Sequence, residues 1–160
     1  TQKRQDFWLR SVDFMHEYWR QFADAGQANL YVASYQGQPL SAAFIITNGK
    51  RAFYKDGGAV FDKATQSLAA PTALQWYVMQ DLQARGIEEY DLCGVSASGR
   101  LEPNDPLWGV YKFKSKFSSE LHTYPGFIDL PINNVKYKLW RKSERYITKL
   151  YRKITGDIFY

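Results

Sequence analysis

Between Asn29 and Gly58 the chain reverses direction twice, and this narrows the folds open to it more than any other stretch. Three apolar runs, NLYVASY (Asn29–Tyr35), LSAAFIIT (Leu40–Thr47) and RAFYKDGG from Arg51, are punctuated first by Gly37 and Pro39 and then by Asn48-Gly49. Asn and Gly both tolerate positive φ, so the pattern predicts three antiparallel strands in a meander. A helix precedes it. Phe14, Met15, Tyr18, Trp19 and Phe22 recur at spacings of three and four within Asp13–Ala25, and Gly26 supplies the stop. A second helix follows. Pro71 suits a first helical turn, and TALQWYVMQDLQAR runs on until Gly86. Directly after it, IEEYDLCG reads as a short strand leaving at Gly94, the order expected of a helix that packs back across a sheet.

Beyond Gly94 the pattern becomes less regular. A loop rich in Ser, Gly, Pro and Asp (Ser96–Pro106) leads to a short helix in WGVYKFKSKF, then to an expected strand in ELHTYPGFIDL. Pro131 and Asn133-Asn134 precede a basic helix over Val135–Lys153. The order helix, three meander strands, long helix, strand, short helix, strand is that of the α/β (α+β) GNAT-type acyltransferase fold, with a mostly antiparallel central sheet flanked by helices. Residues 1–134 are expected to form that domain and 135–160 a basic helix packed on it. The opening TQKRQDFW lacks an initiator Met and runs straight into a helix, so the chain is expected to be a piece of a longer protein.

The charge is unevenly spread. The chain has 21 Lys and Arg against 16 Asp and Glu, and residues 135–160 hold eight of the former and two of the latter. The rest is close to neutral. A local cationic cluster of this kind suits an RNA backbone or an anionic membrane surface. Val135, Leu139, Tyr146, Leu150 and Ile154 recur at helical spacing within it and are expected to pack on the body while the lysines face water. The one cysteine, Cys93, excludes an internal disulfide and a CxxC zinc site, and makes a reducing cytoplasmic compartment the default. No apolar run approaches the roughly 20 residues of a membrane span.

Several chemistries lack their residues. The two histidines, His16 and His122, have no second ligand at helical spacing and no adjacent nucleophile, so neither a metal site nor a catalytic triad is supported. Cys93 reads as a small buried hydrophobe. Neither GxxxxGK[ST] nor GxGxxG occurs, and SLAAPTALQW has no counterpart of the glycine loop that cradles the coenzyme A pyrophosphate in GNAT enzymes. No cofactor is therefore expected. YKFKSKF (Tyr111–Phe117) stands out, because Lys112, Lys114 and Lys116 alternate with other residues. An extended stretch would put all three on one face, whereas a helix would fan them out. Such lysines could stabilise an oxyanion, contact phosphate, or form a solvated edge.

Three blocks in order resemble the C-terminal, GNAT-like half of the Fem family (FemABX type), the peptidoglycan interpeptide-bridge aminoacyltransferases that use aminoacyl-tRNA. Ala70–Gly94 is similar to the family's long helix running into its "YD(L/F)GG" strand. Gly109–Asn133, GVYKFKSKFSSELHTYPGFIDLPIN, resembles its "LY.FK..F" element and the stretch before the terminal helix. Lys3–Phe22 resembles the helix and arginine that open the second half.

The resemblance implies roles. Lys114, with Phe113 before it, would sit at the reacting ester and stabilise the tetrahedral intermediate, with Tyr111 and Lys116 of the same element as substrate contacts. Arg10 would contact the diphosphate of a lipid-linked or UDP-linked muramyl pentapeptide. Phe14 falls where some members carry a tyrosine near that acceptor. Asp56 stands where relatives often have Tyr before the glycines, with Tyr54 two residues away and expected on the same strand face. The proton of the attacking ammonium would pass to Asp56 or to the substrate. Implied partners are aminoacyl-tRNA, the muramyl-pentapeptide precursor, the inner membrane leaflet as a peripheral contact, and the missing N-terminal half. The alternatives are an acetyl-CoA-dependent GNAT N-acetyltransferase and a non-catalytic module binding RNA or anionic lipid.

Overall fold

The computed structural model describes residues 10–60, 62–95, 102–157 and 159. They fall into two compact units, one spanning His16–Phe117 and the other joining the described residues up to Met15 with those from Ser118 onward.

The first unit is built on a four-stranded sheet of order β1-β2-β3-β4, with β1 at Ala28–Tyr35, β2 at Gln38–Asn48, β3 at Arg51–Ala59 and β4 at Glu89–Asp91. The first three strands pair antiparallel as the expected meander, and β4 pairs parallel to β3. Helix α1, Val12–Asp24, precedes the sheet, and α2, Ala70–Ala84, supplies the crossover that a parallel pair requires. The β1–β2 loop is Gln36-Gly37, both in the left-handed region, as a two-residue hairpin turn with the sheet's twist demands. At the second hairpin Asn48 still belongs to β2. The loop is Gly49-Lys50, and of the pair expected to take positive φ only Gly49 does so.

Alternation along the strands fixes two faces. On one, Ala43, Ile45 and Ala52 pack with Leu74, Val78 and Leu82 of α2, and Tyr31, Ala33, Tyr54, Ile87 and Tyr90 close around them. The other face carries α1, whose Trp19 ring lies 5.8 Å from that of Phe44. Met15, Tyr18, Trp19 and Phe22 form the half-buried side of that helix, while Phe14 is exposed. The result is a helix–sheet–helix sandwich over residues 16–84, the GNAT-like α+β arrangement. Residues 108–114 form the short helix α3, with Lys112, Lys114 and Lys116 fanned apart rather than aligned.

In the second unit, α4 covers Asn134–Thr155, opened by Asn133, whose side chain accepts from the backbone N–H of Val135 and Lys136. Its described packing does not run through the expected stripe. Val135, Leu139, Tyr146, Leu150 and Ile154 are exposed, and the packed flank is Trp140 and Tyr151 against the ring of Phe159. The expected strand at ELHTYPGFIDL is also absent among the described residues: 118–131 pair with no strand, and Phe127 and Ile132 are fully exposed. A β-prone composition alone does not make a strand, because propensity is overridden by context. Here the segment is tied instead through the Tyr137 hydroxyl, which donates to Asp129 at 2.5 Å.

Candidate active site

The site begins where two strands part. β3 and β4 pair only at Arg51–Phe53 with Glu89–Asp91, after which β3 continues to Ala59 while the other chain turns away. That turn has a local cause. The Asp91 carboxylate accepts the backbone N–H of Cys93 two residues on, at 2.6 Å, and Cys93 takes a left-handed φ of 63°. The carbonyl of Gly94 is thereby presented to α3, and Lys114 Nζ donates to it at 2.7 Å.

Lys114 also lies over a ring. Its Nζ is 5.9 Å from the centroid of Tyr54, a cation–π arrangement at the edge of the effective range. Burial lowers the Lys114 pKa from the ordinary lysine value, and the neighbouring Cys93 and Asp91 partly oppose that fall. The same burial raises the Cys93 thiol, with Asp91 adding to it, so this cysteine is held as a thiol and not as a nucleophilic thiolate. An ammonium has three donors. Among the described residues only the bond to Gly94 is made, which leaves Lys114 able to donate to an oxyanion.

Tyr54 and Asp56 part company here. A β-bulge between them pairs Ile45 with Tyr54 but Phe44 with Asp56, so the two side chains lie on opposite faces instead of the one face expected from their spacing. Tyr54 joins the α2 face, whereas the Asp56 carboxylate accepts the indole N–H of Trp19 at 3.0 Å and lies 3.9 Å from Lys55 Nζ. The residue expected at the reacting centre is thus committed to α1. Gly57 is what lets Tyr54 lie where it does, since a Cβ there would meet its hydroxyl at 1.8 Å.

Sequence reasoning missed Gln75. It is 1% exposed on α2, yet it falls on the helical face of Val78 and Leu82, and a polar side chain at such a position was a readable signal. Its Oε1 accepts the Tyr90 hydroxyl at 2.7 Å. Burial raises the Tyr54 hydroxyl pKa, and the Gln75 side chain works against that rise.

The other expected site residues are spread more widely. Phe113 packs edge-on against Phe117 at 5.4 Å, Tyr111 against Trp108 at 5.3 Å, and Lys116 is exposed on the turn after α3. Arg10 and Phe14 belong to the second unit, where the guanidinium lies 4.9 Å from the Phe14 ring centroid and 4.0 Å from the Asp157 carboxylate. His16 lies beside Trp19, and His122 pairs with Glu120 at 3.1 Å in an exposed position. Among the described residues no group of His, Cys, Asp or Glu could hold a metal ion.

Residues 25–145, a span that takes in the whole sheet, α2 and the Lys114 helix, match the sequence profile of the FemAB family. The chain belongs to the FemAB family. Among curated proteins it is similar to the aminoacyltransferase FemA of Staphylococcus aureus, with 32% identity over 99 residues in strains MW2, COL and N315 alike. That match takes in 62% of this FemAB chain and 23% of the relative, so the chain spans less than a quarter of the length of the curated proteins it matches. No described helix of this FemAB member is long and apolar enough to cross a membrane.

Proposed function

We propose that the chain forms the Lys114-bearing part of an aminoacyltransferase that builds peptidoglycan interpeptide bridges, taking the amino acid from aminoacyl-tRNA and passing it to the stem-peptide amine of a muramyl-pentapeptide precursor. The observation that carries this reading is the FemAB match over the segment that holds Lys114, together with the half-buried placement of that ammonium against Tyr54 and the Gly94 carbonyl. In the reaction the amine attacks the ester carbonyl, the tetrahedral intermediate places negative charge on the carbonyl oxygen, and collapse expels the ribose hydroxyl of the tRNA. The ester is already activated. Orientation and one oxyanion donor can therefore supply most of the rate without a protein nucleophile.

Of the two proton acceptors considered, the substrate is preferred to Asp56, whose carboxylate is engaged by Trp19. Tyr111 and Lys116 remain assigned to substrate contact, and Phe113 to supporting Lys114. Arg10, held over Phe14 and near Asp157, would exchange that carboxylate for the precursor's diphosphate. The exposed flank of α4, with Lys138, Lys142 and Lys149 beside Leu139 and Tyr146, would meet tRNA phosphates or the inner membrane leaflet. The reaction belongs to a longer protein that contributes a further, N-terminal half. Acetyl-CoA is a poorer donor, because the α2 N-terminus opens on Ala70-Pro71, and proline has no N–H to offer a pyrophosphate.

The experiment is Lys114→Ala in the longer protein, assayed for transfer from aminoacyl-tRNA to a muramyl pentapeptide. A fall of roughly 10²–10³ in kcat is expected for loss of an oxyanion donor. Unchanged transfer would remove Lys114 from the chemistry.

A further inference from the structure

We propose that Asp91 is a positioning residue for Lys114: its carboxylate holds the left-handed turn at Cys93 that sets the Gly94 carbonyl against the ammonium. The inference rests on the role given to Lys114 above. Up to Asp91 the backbone is fixed by its neighbours. Asp91 is the last residue of β4 and lies opposite Phe53 in the parallel pairing, and Tyr90 beside it donates to Gln75 at 2.7 Å. Two residues later Cys93 stands at a φ of 63°, where a residue with a Cβ is strained and persists only if its surroundings hold it. Among the described residues Gln36 and Ala69 share that conformation, but Gln36 closes a hairpin and Ala69 joins the short helical turn Gln66–Leu68 to α2. Cys93 neither closes a hairpin nor caps a helix among the described residues. What holds it is the Asp91 carboxylate, which accepts the Cys93 N–H at 2.6 Å.

The turn delivers a carbonyl. Gly94 follows at once, and its oxygen accepts Lys114 Nζ from α3 at 2.7 Å. A lysine side chain has four rotatable bonds, so an ammonium gripped at one donor is placed far more narrowly than a free one. The grip is also neutral. A carboxylate in contact would cancel the charge that an oxyanion needs, whereas a carbonyl fixes the nitrogen and leaves its charge and its other protons to the developing oxygen. Asp91 thus acts at one remove, through the backbone of residues 93 and 94. Without its cap Cys93 relaxes toward negative φ, the Gly94 oxygen swings away, and Lys114 is released to other rotamers.

The test uses the longer protein and two readouts: kcat for transfer, and acetylation of Lys114 by acetic anhydride followed by mass spectrometry. Asp91→Ala should lower kcat by roughly 10–10²-fold, the cost of a misplaced catalytic group. The same variant should raise the Lys114 acetylation rate by about fivefold, as expected for an ammonium that loses one hydrogen bond. Asp91→Asn keeps an acceptor oxygen and should hold both readouts within about twofold of the parent. Adding Cys93→Gly to Asp91→Ala should bring them back as well, because glycine takes positive φ without a cap, whereas a merely structural role for Asp91 would not be rescued there. Cys93→Val leaves Asp91 in place but opposes positive φ; it should reproduce the loss, and it serves if Asp91→Ala does not fold. Parental Lys114 labelling in a folded Asp91→Ala or Cys93→Val protein would overturn the inference, as would a loss undiminished in Asp91→Asn or in the double variant. Labelling needs no transfer activity, so it fails separately from the Lys114→Ala assay.

Discussion

Gly57→Ala is the smallest change that should disturb the candidate site from a position no substrate needs to touch. An alanine Cβ would lie 1.8 Å from the Tyr54 hydroxyl, 2.5 Å from Cζ and 2.7 Å from Cε2. Before the nearest contact reaches even 3.0 Å the hydroxyl must retreat by about 1.2 Å, and the Cζ and Cε2 contacts mean that the whole ring must swing. A swing of that size displaces a ring that is packed against the core beneath α2. The displaced ring costs about 1–3 kcal/mol, against a gain of roughly 0.4–1 from the stiffer unfolded chain. A net loss of about 1.5 kcal/mol would lower the melting temperature by roughly 3–6 °C for a chain of this size. Thermal unfolding followed by circular dichroism measures it. The decisive comparison is the same substitution in a Tyr54→Leu background, where the obstructing ring is gone and Gly57→Ala should be neutral or slightly stabilising. An equal loss in both backgrounds would show that the ring is not what residue 57 must avoid.

Two further outcomes follow from the core and its rim. Leu82→Ala removes a side chain that is 2% exposed beneath the sheet and should cost about 2–5 kcal/mol, read from urea unfolding; a loss below about 1 kcal/mol would mean that α2 does not pack as described. Burial, followed by the hydrogen bond to Asp81, raises the Tyr31 hydroxyl from its ordinary 10.0 to about 12. The folded state therefore favours the neutral phenol, so this contribution is complete below about pH 10 and lost as pH rises through about 12. The stability difference between the parent and Tyr31→Phe should shrink between about pH 10 and 12, and a difference that does not change would contradict the assignment.

Most of the architecture was written in short-range signals. The meander declared itself through Gly37 and Asn48-Gly49, α2 through Pro71 and Gly86, and α4 through Asn133, each acting within a few residues of where it sits. What the sequence hid depends on partners far along the chain. ELHTYPGFIDL has the composition of a strand, but pairing is decided by whether an edge is available. The stripe Val135, Leu139 and Tyr146 has the spacing of a packed face, yet the aromatic pair Trp140 and Tyr151 takes the contact with Phe159. At the candidate site, Lys114 was singled out through its motif. The groups it meets, Gly94 and Tyr54, come from elsewhere along the chain, and no local pattern connects them.

The bulge in β3 makes one residue of chain length decide the layer in which a side chain lives. Without it, the two-residue period would carry Tyr54 and Asp56 together; with it, the phenol goes to the α2 layer and the carboxylate to the α1 layer. When relatives are aligned across FYKDGG, sliding a gap by a single position therefore exchanges which residue is credited with facing Lys114. Comparisons of site chemistry between this chain and its relatives have to be anchored on strand pairing at Phe44 and Ile45, because letter-by-letter identity in that hexapeptide can match residues from opposite sides of the sheet.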